Sequence, residues 1–227
     1  MKSRQNILIT GGTGSFGKKF LDMTLKKYNP KKIVVFSRDE MKQWELSKKY
    51  KNESRIRFFI GDVRDKDRLN RALDGIDYVV HAAALKIVPT AEYDPFETVK
   101  TNIVGAMNII DNCINRKIKK VVALSTDKAV NPVNLYGSTK LASDKLFIAG
   151  NGYSGFNRTK FSIVRYGNVM GSRGSIIPFL LSQKENSNYF TITDAKMTRF
   201  MTNLDSAVKL VWKVFEDMEG GEIYVEK

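Results

Sequence analysis

Asp127 and Lys128 follow the run Val121-Val122-Ala123-Leu124-Ser125-Thr126, and Tyr136-Gly137-Ser138-Thr139-Lys140 comes a few residues later. An acid beside an amine at a strand end can give and take protons at neighbouring atoms. Tyr136 and Lys140, one helical turn apart, share a face, and the ammonium, helped by the positive charge of a cofactor ring, stabilises the phenolate, lowering the tyrosine pKa toward neutrality. Thr126, a hydroxyl at the strand tip, joins this reacting group. Moving hydride to and from an alcohol uses the Tyr/Lys pair alone. The added Asp/Lys pair predicts a longer reaction, in which oxidation is followed by proton removal and elimination.

Groups so placed need a scaffold that ends strands along one edge. Ile7–Ile9, Ile33–Phe36, Ile56–Ile60, Tyr78–Val80, Val121–Leu124 and Phe161–Val164 are short apolar runs without polar alternation, the pattern of parallel strands covered on both faces. Helical patterns fall between them near 15–28, 39–50, 66–74, 96–116 and 135–149. The alternation predicts an α/β doubly wound parallel sheet, the Rossmann fold. Beyond residue 165 a Gly/Ser-rich loop leads to an apolar stretch at Ile176–Leu181, a polar segment at Ser182–Asn188, a helix near Leu204–Met218 and a last strand at Glu222–Val225.

Directly after the first strand stand Gly11, Thr13, Gly14, Ser15, Phe16 and Gly17, with glycines in Gly-x-x-Gly-x-x-Gly spacing. Glycine permits a tight turn and close backbone approach to a pyrophosphate, and the following helix offers its N–H groups and positive end. The second strand ends at Ser37-Arg38, where a ribose-reading residue is expected. A hydroxyl and a guanidinium there suit a 2′-phosphate, so the cofactor is expected to be NADP rather than NAD. Asp62 and Val63 are placed to meet the adenine. The small Ala82 leaves room for the cofactor backbone.

The formal net charge of +14 raises the question of nucleic acid, but the basic residues are dispersed and no recognition motif accompanies them. No nucleic-acid partner is expected. Nor is a membrane, since no apolar run reaches bilayer-spanning length and the start lacks a secretory signal, which places the protein in the cytoplasm. Cys113 reads as a buried structural thiol and His81, the sole histidine, as structural. No spacing of Cys, His and carboxylates predicts a metal site.

The glycine loop and Tyr136/Lys140 together resemble the extended short-chain dehydrogenase/reductase superfamily. Phe36-Ser37-Arg38-Asp39-Glu40, Phe59–Asp65, His81–Lys86, Lys100-Thr101-Asn102-Ile103, Ser125–Ala129, Arg165–Val169 and Met197–Phe200 narrow the resemblance to the configuration-inverting UDP-N-acetylglucosamine 4,6-dehydratases, which begin pseudaminic acid biosynthesis for flagellin glycosylation. The resemblance implies that Tyr136 takes the sugar 4-hydroxyl proton as hydride passes to NADP⁺, that Lys128 removes the carbon-5 proton, and that protonated Asp127 helps the carbon-6 hydroxyl leave. Hydride then returns to carbon 6, with inversion at carbon 5. It places Lys86, Asn102 and Val169 at the cofactor, and Lys86, Asn168, Arg173 and Thr193 at the UDP-sugar. Arg199 is left between diphosphate contact and loop anchoring. The implied division is an NADP-binding domain over 1–165 and a partial sugar-nucleotide region over 166–227, because members of that family continue past residue 227. Helices near 96–116 and 135–149 resemble those that pair subunits, implying a homo-oligomer. A UDP-sugar 4-epimerase and a non-catalytic NADP-binding remnant are the alternatives.

Overall fold

Continuous Val, Ile and Phe runs suit strands that helices cover on both faces, and the central strands of the sheet are of this kind. The computed structural model describes residues 4–155, 159–172, 174–186, 189–190, 192 and 194–226. Strands β1 (Asn6–Thr10), β2 (Lys32–Ser37), β3 (Ile56–Ile60), β4 (Tyr78–His81), β5 (Lys120–Thr126) and β6 (Lys160–Tyr166) contain the six runs expected from the sequence. Two strands, β7 (Asn168–Val169) and β8 (Met201–Thr202), form a small separate ladder, and β9 (Ile223–Val225) returns to the main sheet. The main sheet is parallel, in the order β3-β2-β1-β4-β5-β6-β9. Strand order reverses between β1 and β4, which opens a crevice at the carboxyl ends of the strands.

The two-residue strand period sorts the core into two layers. Ile7, Ile9, Ile33, Val35, Val122 and Val164 pack with α1 (Ser15–Lys27), α2 (Glu40–Lys49) and α9 (Leu204–Asp217). Leu8, Val34, Val79, Val121, Ala123 and Ile163 pack with α3 (Lys66–Ala72), α6 (Gly105–Asn115) and α7 (Leu135–Tyr153). Cys113 is fully buried in the second layer, as a structural thiol should be. Trp212 of α9 stacks on Tyr28 at 4.0 Å and donates from Nε1 to Thr24 Oγ1 at 3.0 Å. Residues 204–225 thus cover and extend the same sheet that carries the glycine loop.

The helix expected over 96–116 is three pieces: α5 (Pro95–Val99), a π-helical turn (Lys100–Val104) and α6. Short helix α4 (Val88–Tyr93) precedes it, and the apolar stretch after the Gly/Ser loop is α8 (Ile176–Asn186). The wider π turn carries buried Asn102, whose Oδ1 accepts from Leu85 N and whose Nδ2 donates to Leu85 O, both at 2.9 Å, and to Thr139 Oγ1 at 3.0 Å. Asn102 therefore ties the loop after β4 to α7.

Thr10 and His81 clasp the reversal point. Thr10 Oγ1 accepts from Ala82 N and Ala83 N at 3.1 and 3.2 Å and lies 2.9 Å from His81 Nδ1. With both N–H groups already donating to it, the hydroxyl gives its own proton to Nδ1, so the ring is neutral. Burial first, and then the charge of Lys140, lowers the His81 pKa to about 3. Between pH ~6.5 and ~3 the unfolded chain binds a proton that the folded protein refuses, so stability falls with decreasing pH by up to ~1.4 kcal/mol per unit. Above that window the group contributes no slope. Urea unfolding at pH ~7 and ~4.5 should show a smaller acid loss for His81→Gln than for the native chain; equal losses would contradict the assignment.

Candidate active site

The glycine loop is bare backbone at the start of a helix. Gly11 takes φ +65°, and a Cβ there would stand 2.9 Å from Ala83 N. A Cβ on Gly17 would run into the Gly12 backbone, so α1 starts hard against the loop. Gly14 is the N-cap and offers no side-chain cap. This is a cradle that side chains would fill and that an anionic group fits. Thr13 Oγ1 lies 2.8 Å from Ser37 Oγ, joining the loop to the tip of β2, and Phe16 stacks with Tyr166 of β6 at 6.5 Å. The Ser37 hydroxyl is thus engaged inside the protein, while Arg38 is half exposed, with its Nη1 3.5 Å from Asp62 Oδ2. Arg64 grips Asp62 through Nε at 3.0 Å and Nη2 at 2.7 Å and helps hold its carboxyl below the usual range, although burial, the largest influence, opposes this. Val63 is buried beneath, against Gly105.

The reacting residues converge at the tip of β5, which ends in a 3-10 turn, Asp127–Ala129. Thr126 Oγ1 donates to Asp127 Oδ1 at 2.9 Å, accepts from Lys128 N at 3.3 Å and shares a hydrogen bond with Tyr136. Lys128 Nζ donates to Asp127 Oδ1 at 3.1 Å and to Asn168 Oδ1 at 2.8 Å. These groups are neither open to solvent nor sealed: the Lys128 and Asp127 side chains are 32% and 25% exposed. They line a cleft of about 380 Å³ with Val133, Asn134, Thr198, Arg199 and Phe200. A larger groove of about 500 Å³ runs along edge strand β3 beside Arg57, Arg68 and Arg71, and contains none of the reacting groups.

Helix α7 brings the tyrosine in. Asn134 caps it by accepting from Gly137 N at 2.8 Å, an Asn-before-apolar signal readable in the sequence. At Gly137 a Cβ would strike the Lys128 carbonyl and stand 2.9 Å from Pro132 Cβ. Glycine alone lets the turn and the helix meet this closely, which residue types and spacing do not reveal. The protein groups around Tyr136 act against its ionisation. Burial pushes its phenol up to about 12, with Asp127 and Asp144 adding to the rise and the Thr126 hydrogen bond opposing it. Lys140 is buried and donates to Leu124 O at 2.8 Å; burial lowers its pKa, against the pull of Asp144.

Several other residues singled out by sequence lie near this cleft. Lys86 is near enough to Lys128 that, after desolvation, that charge is the second cause lowering its pKa. Asn168 touches Lys128 directly, and Val169 follows it in β7. Asn102 and Ala82 serve the backbone connections described above, and Arg199, on the cleft wall, donates to its neighbour Thr198 O at 2.7 Å. Arg173 and Thr193 lie outside the described residues. Among the described residues no group of three or more His, Cys, Asp or Glu could hold a metal, and no helix is long and apolar enough to cross a membrane.

Comparison with known proteins places this geometry in a family. The profile described as "Polysaccharide biosynthesis protein" matches residues 7–227. The chain is 56% identical to a UDP-N-acetylglucosamine 4,6-dehydratase (inverting) of Campylobacter jejuni, over 100% of this chain and 68% of that protein. It is 45% identical to a UDP-glucose 4-epimerase of Rickettsia prowazekii, over 98% of this chain and 66% of that one. Among solved structures, Pen from Bacillus thuringiensis superposes with a TM-score of 0.95 at 43% identity, over 98% of this chain and 71% of that one. DesIV, a dTDP-glucose 4,6-dehydratase of Streptomyces venezuelae solved with NAD, shares the fold with a TM-score of 0.87 at 23% identity, over 97% and 74%.

The contact at Gly137 is open to direct test. Gly137→Ala should cost about 1–3 kcal/mol, read as a lower urea midpoint with unchanged far-UV circular dichroism. An unchanged midpoint would mean that the turn and α7 are not in contact.

Proposed function

Because the chain belongs to the polysaccharide biosynthesis protein family, and within it to the inverting UDP-N-acetylglucosamine 4,6-dehydratases, we propose that it removes water from UDP-N-acetylglucosamine, giving a UDP-4-keto-6-deoxy sugar. It is an enzyme of the sugar-nucleotide 4,6-dehydratase type, working with a nicotinamide dinucleotide that the glycine cradle suits. Held at Gly11, Gly14 and Gly17, that cofactor would supply a hydride acceptor for carbon 4 and a hydride donor for carbon 6. The observation that carries the reading is the Asp127–Lys128–Asn168 contact in a cleft beside Tyr136.

Each reacting residue has a task its surroundings support. Tyr136, as the phenolate, receives the proton of the sugar 4-hydroxyl, and Thr126 Oγ1 stands beside it with its own proton given to Asp127. Lys128 removes the proton on carbon 5 and Asp127 gives one to the departing carbon-6 oxygen. One proton passed across their 3.1 Å contact turns the ion pair into a neutral amine and a carboxylic acid, the forms those two steps need. Asn168 fixes the amine in place. Lys86 and Arg199, cations beside the same cleft, together with Arg173 and Thr193, are assigned to the UDP-sugar.

NADP is the proposed form of the cofactor, because no acid terminates β2 and Arg38 presents an exposed guanidinium at that tip. The same reading extends to pseudaminic acid assembly for flagellin glycosylation, a cytoplasmic setting and a homo-oligomer, the last supported by exposed Tyr93, Phe96 and Met107 on α4, α5 and α6. The 45% identity to a UDP-glucose 4-epimerase favours 4-epimerisation as a second reading. That reaction gives Asp127 and Lys128 no proton to move.

Incubation with UDP-N-acetylglucosamine in heavy water, followed by mass spectrometry, should show a product lighter by one water and labelled at carbon 5. Lys128→Ala should abolish it while dinucleotide binding survives; a product of unchanged mass would establish epimerisation instead. Calorimetric titration should show that Arg38→Ala weakens NADP binding by ~10–100-fold, with NAD little changed. Equal loss for both cofactors would remove the assignment of NADP.

A further inference from the structure

Beneath the reacting helix lies a charged group that the proposed chemistry does not use. Asp144 sits one turn beyond Lys140 on α7 and is almost wholly buried, at 1% exposure. Its Oδ2 accepts from Ser125 Oγ at 2.9 Å and from Arg165 Nε at 2.9 Å, and the Arg165 side chain is itself mostly buried. Ser125 and Leu124 are adjacent in β5, and Leu124 O accepts from Lys140 Nζ. One strand tip therefore holds the amine by a carbonyl and the carboxylate by a hydroxyl.

We propose that Asp144 is the positioning counter-charge of the reacting helix, keeping the buried Lys140 ammonium protonated while Arg165 and Ser125 hold the carboxylate in place. The inference rests on the assignment of Tyr136 and Lys140 as reacting groups. Three charges share this low-dielectric interior: two cations, Lys140 and Arg165, and one anion, Asp144. Removing the anion leaves the buried Lys140 ammonium and the Arg165 guanidinium without the carboxylate they share, and of the two cations Lys140 is the one able to shed its proton. The other groups around the amine offer no substitute. His81 is neutral, Tyr136 and the neighbouring Tyr166 of β6 are held protonated by burial, and Asp127 bonds Thr126 and Lys128. Asp144 also opposes ionisation of Tyr136, so it sets both members of the Tyr/Lys pair toward their protonated forms.

The sign of that effect separates charge from packing. Isotope-labelled lysine NMR of the whole chain, with Lys140 assigned through Lys140→Arg, reads its titration without any turnover. Asp144→Asn should lower the Lys140 midpoint by about 1–3 pH units. Arg165→Gln should raise it, and Arg165→Lys and Ser125→Ala should leave it in place. In the dehydration assay both limbs of the pH–rate profile should move toward acid in Asp144→Asn and toward alkali in Arg165→Gln. A Lys140 midpoint that does not move in Arg165→Gln, or that moves the same way in both charge variants, would overturn the proposal, whether or not Asp144→Asn folds. A native chain that dehydrates nothing would defeat the proposed reaction instead, and the lysine titration would still decide this point.

Discussion

The site depends on one close approach, between the backbone of the turn after β5 and the first turn of α7. Without a side chain at Gly137, the Lys128 carbonyl can rest against the helix. That contact puts Tyr136 beside Thr126 and therefore beside Asp127 and Lys128. The Asn134 cap fixes where the helix begins, and Asn102 fixes Thr139 one residue before Lys140. The spacing of Tyr136 and Lys140 makes a common face possible, and these contacts aim it.

The same device recurs at the other end of the site. Gly11 and Gly17 bring the loop, the tip of β4 and the start of α1 within backbone distance, and Thr10 satisfies the Ala82 and Ala83 N–H groups so that the β4 tip can bend away. His81 completes that clasp from inside the core. In both places the candidate groups stand at a strand end or on the helix that follows it, and polar atoms of the turns between are satisfied by neighbouring side chains.

Most of the scaffold was legible because parallel strands buried on both faces write themselves as unbroken apolar runs, and six of those runs became strands within a residue or two. The helix over 96–116 was legible as apolar periodicity, but its π turn was not. A wider turn leaves no mark in residue spacing, only in where Asn102 reaches. In the site, Asp127, Lys128, Tyr136 and Lys140 could be read from type and position. Asp144 could not, because an acid one turn past Lys140 looks like an ordinary helix-surface residue until Arg165 and Ser125 are seen against it. The protein surroundings of the tyrosine were not legible either. The sequence pairs the lysine with the tyrosine, whereas the fold directs the amine to the Leu124 carbonyl and buries the phenol.

That environment constrains the chemistry. Burial and two neighbouring carboxylates hold the phenol above its ordinary value, so a positive charge brought beside it, such as an oxidised nicotinamide, is what the proposed base requires. The two carboxylates that raise it, Asp127 and Asp144, differ in kind. Asp144 is locked in a buried pair with Arg165. Asp127 stands in the cleft, joined to Lys128 by one contact and to Thr126 by another. In the proposed reaction, a proton passing from Lys128 to Asp127 would remove the negative charge beside Tyr136 and ease its ionisation. Thr126 Oγ1, which donates to Asp127 and accepts from Lys128 N, stands between that pair and the tyrosine. The proposal thereby links the acid/amine pair to the tyrosine through one hydroxyl, so that oxidation at carbon 4 and elimination across carbons 5 and 6 would draw on one shared set of protons.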